Sequence, residues 1–159
     1  MVEASQKSQD NSSEEPVTDS MKKELLTYCF NNVKHFLKNQ QMLEYPSSYD
    51  SNKFPLFVTW QKDGDLRGCI GTFDENGKLG SQLQRYSLIA ALNDSRFEPV
   101  TEEELPSLRC EISLLSNFEK IENPLDWEIG KHGIEIEFAG TKGGKDIHRG
   151  TFLPNVAPE

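Results

Sequence analysis

An α+β domain, with a mainly antiparallel or mixed sheet flanked by helices, is the fold class that this sequence predicts. Three observations carry the prediction. Two long segments place apolar residues at helical spacing, and several short runs alternate apolar and polar residues between tight-turn dipeptides. The two kinds of segment follow one another without a regular strand–helix–strand alternation, which argues against a parallel doubly wound sheet. At 159 residues the chain is long enough for one domain with a real core and too short for two ordinary ones.

Residues 1–18 are rich in Ser, Glu, Gln and Asn, have little to bury, and read as a disordered polar tail. The tail has no apolar core of the kind a secretory signal carries, and no stretch is long enough to span a bilayer. The domain is therefore expected over 19–159, in an intracellular protein of the cytoplasm or nucleus. Asp19 is the expected N-cap of a first helix, whose apolar stripe runs through Met21, Leu25, Cys29, Val33, Phe36 and Leu37 and which ends before Pro46. A polar linker, 45–53, leads into a strand over 55–61. Asp63-Gly64 then marks a hairpin turn into the segment Leu66-Arg67-Gly68-Cys69-Ile70-Gly71-Thr72-Phe73, and Asn76-Gly77 marks the turn after it.

A second helix is predicted over 78–93, with Leu79, Leu83, Tyr86 and Ala90 on one stripe and further apolar residues widening it, as in a helix buried against a sheet. Thr101-x-x-Glu104 has the form of a capping box, and the Glu102-Glu103-Glu104 run reads as a solvated face at the start of a short helical turn. Leu108, Cys110, Ile112 and Leu114 alternate with polar residues as a half-buried strand. His132, Ile134, Ile136 and Phe138 repeat that pattern, Gly143-Gly144 supplies a turn, and 147–153 returns as the last strand.

The formal charge of −9, from 26 acidic and 17 basic residues, argues against general nucleic-acid binding, which needs a basic surface. Cys29, Cys69 and Cys110 are far apart and odd in number, with no paired spacing, so neither a metal site nor a disulfide framework is expected. Free thiols in a reducing compartment fit best. Phosphate loops, serine-hydrolase elbows, zinc-protease motifs and dinucleotide fingerprints are all missing from the sequence, and no cofactor is expected.

The segment 66–73 is the one that points to a site. Glycine weakens a strand interior unless another backbone or a ligand must come close there, and this strand carries two, Gly68 and Gly71. Strict alternation places Arg67, Cys69, Gly71 and Phe73 on one face, where a guanidinium near a thiol favours the thiolate. Cys69 is thus the candidate nucleophile, and His132, in a core-facing pattern, is the candidate histidine to serve it. Against this, a small thiol in a sheet interior is more often a packing residue, which favours a cleft-lining Cys69 over a catalytic one. Cys29 and Cys110 lie on apolar stripes and read as core. For Arg67, an ion pair with a carboxylate such as Asp94 and a ligand contact both fit. Asp94 and Arg96 are expected to form a polar network that holds the helix end against the sheet.

These segments also carry a resemblance. LRGCIGTF (66–73), DSRF (94–97), PLFVTW (55–60), SLLSNFE (113–119), LDWEIGKHGI (125–134) and TFLP (151–154) occur in an order that resembles the AMMECR-type domain family. The resemblance covers about residues 21–159. It implies an α+β fold with a mixed sheet and a smaller helical part, and a cleft lined by the LRGCIGTF strand. It also implies further helical and strand sequence beyond the TFLP segment, which this chain lacks, so that apolar surface is expected to lie exposed. The family has no established biochemical activity, and a regulatory or protein-interaction role is the one the resemblance suggests. The resulting expectation is an intracellular interaction domain that binds an unidentified protein or small ligand through Arg67, Gly68, Cys69, Gly71, Asp94, Arg96 and His132. The alternative is a thiol-dependent transferase or hydrolase using Cys69.

Overall fold

The structure, a computed structural model, describes residues 2–6, 18–116, 118–123, 125–139 and 147–154. It confirms the α+β class, with every named strand pairing antiparallel. The chain divides into two compact units, one made of residues 13–114 and the other of residues 1–12 and 115–159, where the sequence leads one to expect a single domain.

The larger unit holds two helices and a three-stranded sheet. Helix α1 spans Asp19–Asn39. Its N-cap is Thr18 rather than Asp19: the Thr18 hydroxyl accepts the Met21 N–H at 3.2 Å, and Asp19 instead adds negative charge to the first turn. Gln40 closes the helix in the left-handed conformation, with φ of 57°, and donates its N–H to Phe36. The predicted linker contains a 3-10 turn, Ser47–Ser51, that buries Tyr49. Strands β2 (Leu56–Lys62) and β3 (Asp65–Thr72) form the predicted hairpin. Asp63 and Gly64 both have positive φ, 55° and 97°, as a tight turn matched to strand twist requires. Helix α2 (Leu79–Leu92) follows, then a 3-10 turn, Glu102–Ser107, and β4 (Leu108–Leu114). The sheet order is β3-β2-β4, so β3 is an edge strand.

Alternation in β2 places Leu56, Val58 and Trp60 on the helical face, all without exposed surface. Phe30 of α1 meets Trp60 edge-on at 5.8 Å, and the Trp60 indole N–H donates to the Ser87 carbonyl of α2 at 3.0 Å. Two polar residues of this core, Asn32 and Ser87, have no exposed surface, and they bond to each other. Asn32 donates to the Gln84 carbonyl and the Ser87 hydroxyl and accepts the Leu43 N–H, which ties both helices to the chain after α1.

The smaller unit is a four-stranded sheet of order β5-β1-β6-β7, built from β1 (Val2–Gln6), β5 (Phe118–Lys120), β6 (His132–Ala139) and β7 (Ile147–Phe152). The expected hairpin of β6 and β7 is present, with Ile134 opposite Phe152 and Ala139 opposite Ile147. Its Gly143-Gly144 turn lies outside the described residues. The tail expected to be disordered contributes β1, which runs between β5 and β6 with Val2 opposite Ile136 and Gln6 opposite His132. Backbone N–H and C=O groups supply this pairing whatever the side chains, so a low apolar content does not exclude a strand. The rest of the tail before Thr18 is outside the described residues. Leu125, Ile129, Phe138, Ile147 and Phe152, the large apolar residues exposed among the described residues of this unit, include three from β6 and β7.

Candidate functional site

Cross-strand register defines the surroundings of Cys69. It stands opposite Thr59, which on its other side stands opposite Glu111. Directly opposed residues share a face, so Cys69, Thr59 and Glu111 form a row on the face away from the helices. Gly68, opposite Trp60, belongs to the helical face. The Thr59 hydroxyl donates to the Cys69 thiol at 3.2 Å. Phe57 and Phe73 meet edge-on at 5.3 Å.

Arg67 does not take the place that alternation predicts. Gln61 pairs with Leu66 and Trp60 with Gly68, so Arg67 is the extra residue of a β-bulge. Its guanidinium grips Glu104 with two parallel bonds of 3.0 Å and donates to the Glu98 carbonyl at 2.8 Å. Lys62 adds a third contact to the same carboxylate at 2.9 Å. The carboxylate also accepts the Thr101 N–H, completing the predicted capping box. Glu104 is therefore not part of a solvated face: its side chain is only 15% exposed, as is that of Arg67. The Arg67 guanidinium, ahead of the other contacts, lowers the Glu104 carboxyl from 4.5 to about 2. The carboxylate partner of Arg67 is Glu104 and not Asp94, because the bulge and the capped turn place that pair together.

Asp94 and Arg96 instead secure the exposed edge of β3. The Asp94 carboxylate accepts the Cys69 N–H at 2.9 Å and the Arg96 guanidinium at 2.7 and 3.0 Å. Arg96 in turn donates to the Cys69 carbonyl at 3.2 Å. Both backbone polar groups of an edge residue are thus satisfied by two side chains from the end of α2, where the sequence leads one to expect a polar network. Asp94 is 5% exposed, and pairing with Arg96 lowers its carboxyl from 3.8 to about 2. The guanidinium itself is half exposed and lies 5.4 Å from the Phe97 ring.

Burial pushes the Cys69 thiol above its ordinary 9.0, with Asp94 and Glu111 acting in the same direction. The Thr59 hydroxyl and the Arg96 guanidinium oppose the shift without cancelling it. The cation that acts on Cys69 is therefore Arg96, two residues beyond the buried carboxylate, and not Arg67.

The glycines answer to backbone contacts. A Cβ on Gly68 would overlap the Ala90 carbonyl oxygen of α2, and one on Gly71 would overlap the Leu56 carbonyl oxygen and the Phe57 side chain. His132 belongs to the other compact unit. It is buried, its Nδ1 accepts the Glu128 N–H at 2.9 Å, and its Nε2 has no partner among the described residues. The residues that sequence reasoning missed are Glu104 and Thr59. The capping-box motif marked Glu104 but gave no sign of Arg67, and Thr59 becomes visible only through register.

Among the described residues no helix is long and apolar enough to cross a membrane. No group of three or more His, Cys, Asp or Glu there is placed to hold a metal ion. The AMMECR1 family model matches residues 26–159. An uncharacterized protein of Arabidopsis thaliana is 41% identical over 143 residues, which cover 86% of this chain and 64% of that protein. An uncharacterized protein of Kluyveromyces lactis is 51% identical over 118 residues, covering 66% of this chain and 51% of its own length. This chain thus spans between about half and two thirds of these relatives. Among solved structures, an uncharacterized protein from Pyrococcus horikoshii matches 89% of this chain and 72% of its own with a TM-score of 0.76 and 27% identity.

Proposed function

The chain belongs to the AMMECR1 family, and from that premise we propose that it is an intracellular recognition domain. The face bearing Cys69, Thr59 and Glu111 receives a protein or small ligand, with the half-exposed Arg96 guanidinium beside it. The observation that carries this reading is the state of the Cys69 thiol. A thiol held above 9.0 is protonated at neutral pH, and the thiolate is the nucleophile. Its polar neighbours Asp94 and Arg96 are committed to the backbone of β3 and do not supply a base. The site therefore offers shape, a neutral thiol, a hydroxyl, the exposed Glu111 carboxylate and a cation, a mixed polar surface that suits binding. A net charge of −9 disfavours nucleic acid as the ligand.

Affinity capture with the full chain and with Glu111→Arg tests this. Glu111 is exposed, so the change reverses a charge in the row without disturbing the core. Loss of the same captured partner in replicate mass-spectrometric profiles supports the reading, and unchanged capture by Glu111→Arg and by Cys69→Tyr overturns it.

The alternative, a thiol-dependent enzyme, draws on the Arg96 guanidinium, whose field favours the thiolate. Iodoacetamide alkylation of Cys69 against pH, in a variant with Cys29→Ser and Cys110→Ser, separates the two. The recognition reading expects a midpoint above 9.0; a midpoint below neutrality would establish an activated nucleophile.

A further inference from the structure

We propose that the groove between α1 and α2 binds a small carboxylate with an apolar tail, the carboxylate on Arg85 and the tail along α2. The groove has a volume of about 530 Å³, within the roughly 300–1,000 Å³ of small-molecule sites. Leu88, Ile89 and Leu92 of α2 line one side, and Phe36 and Leu37 of α1 line the other. Side chains of this kind hold an apolar tail by removing it from water. Hydrogen bonds around the groove fix its two ends. The Gln84 side chain donates to the Leu43 carbonyl at 2.9 Å, so their chain neighbours Arg85 and Met42, both lining the groove, stand at one end. The Val100 N–H donates to the Ala91 carbonyl at 2.9 Å, which brings Pro99 and Val100 beside Leu92 at the other. Met42 is 54% exposed, and its flexible thioether chain is free to fold over an occupant. The Cys69 row lies on the sheet face away from the helices, so the groove is a second site.

Arg85 sets the chemistry of the ligand. Among the lining residues it alone is charged, and Gln40 and Asn93 are polar and neutral. Arg85 is exposed, its guanidinium lies 5.5 Å from the Tyr86 ring, and it has no hydrogen bond or ion pair among the described residues. The helical positions three and four away are Ser81, Gln82, Leu88 and Ile89, so α2 offers it no acid. Arg67 and Arg96, by contrast, are each held by a carboxylate. A guanidinium presents paired N–H donors in a fork that matches a carboxylate. An amine at this end is repelled, and a neutral ligand leaves the fork unmet. The length of the ligand follows from α2. The helix rises about 10 Å from Arg85 to Leu92, close to the extended length of an eight-carbon chain. Octanoate therefore reaches from Arg85, at its carboxylate, to Leu92 and Pro99, at its tail.

Isothermal titration of the full chain with sodium octanoate, at neutral pH and below its micellar concentration, tests the site. One octanoate per chain is expected, with a Kd of about 1 mM or tighter. Arg85→Gln changes an exposed side chain and is expected to weaken binding by about tenfold or more, as the loss of a charge-assisted pair does. Met42→Glu, also exposed, sets a competing carboxylate at the Arg85 end and is expected to weaken binding as well. Acetate, which lacks the tail, and octylammonium, which reverses the charge, are expected not to bind. Backbone amide shifts on adding octanoate should fall within residues 36–42 and 85–93. The absence of binding, more than one octanoate per chain, equal binding by Arg85→Gln, equal binding of octylammonium, or shifts confined to residues 57–73 would each overturn the proposal. A two-turn acidic amphipathic peptide bound where octanoate is not would assign the groove to a partner helix and overturn it too.

Discussion

Gly68 and Arg67 sit next to each other in one strand and are held there by different forces. At Gly68 the backbone of α2 occupies the space a side chain would need, since a Cβ would overlap the Ala90 carbonyl oxygen. Gly68→Ala must push α2 off the sheet and is expected to cost about 1–3 kcal/mol, typical of overpacking. A urea melt followed by Trp fluorescence reads the loss, and an unchanged midpoint would mean that α2 yields freely at Ala90. Arg67 owes its place to charge. Removing it leaves Glu104 mostly buried with Lys62 as its remaining cation. Arg67→Ala is expected to destabilise by about 2 kcal/mol, in the range of lost charge-assisted hydrogen bonds, and Arg67→Lys recovers part of this but not the bidentate grip. The same denaturant midpoints decide it.

The edge of β3 shows what one element takes from another. An unpaired edge residue normally turns its N–H and C=O to water or to another strand. At Cys69 these groups are taken by Asp94 and Arg96 instead. Asp94→Ala frees the Cys69 N–H and leaves the guanidinium without its partner. The expected result is a loss of about 1–3 kcal/mol, with exchange of the Cys69 amide faster by about tenfold or more. Amide hydrogen exchange measured residue by residue checks it; slow exchange at Cys69 in the variant would show that another group protects the edge.

The elements themselves were largely legible in the sequence. Both helices, the β2–β3 hairpin, β4 and the β6–β7 pair carry periodic apolar residues and turn dipeptides, and all are present. What escaped had no such signal. Strand β5 is three residues long, β1 lies in a polar segment, and neither can be told from loop by periodicity. The site was legible in part for a related reason. Asp94 and Arg96 follow closely on the helix end, so their network could be anticipated. The Arg67–Glu104 pair depends on a bulge that shifts register by one residue, and nothing in the spacing of 66–73 announces that bulge. The expected effect of Arg67 on Cys69 failed with it.

For the molecule as a whole, the response to acid draws on two carboxyls that are strongly depressed among the described residues. Glu104 and Asp94 each titrate near 2 in the folded chain, against 4.5 and 3.8 ordinarily. A depressed carboxyl contributes stability that is fully present above its unfolded pKa and is lost as pH falls through its folded value. Stability is therefore expected to hold down to about pH 5 and to decline from about pH 4.5 toward pH 2. Thermal melts across that range read the decline. In the Arg67→Ala variant the Glu104 share of it should shrink, because Lys62 and the Thr101 N–H still hold the carboxylate, so a wild-type slope in that variant would contradict the assignment. Among the described residues, exposed apolar side chains occur in both units, Met42 and Leu66 in the larger and Phe138, Ile147 and Phe152 on β6 and β7 of the smaller.

The sheet order β3-β2-β4 carries a consequence for the time course of folding. The β2–β3 hairpin closes through a two-residue turn, whereas β4 reaches the far edge of β2 only after the chain has passed through α2 and the capped turn. Closing the short loop is fast, and the long one carries most of the chain entropy. The hairpin should thus be formed in the folding transition state and the β4 pairing incomplete. Gly64→Ala in the turn will slow folding, while Ile112→Val on β4 will chiefly hasten unfolding.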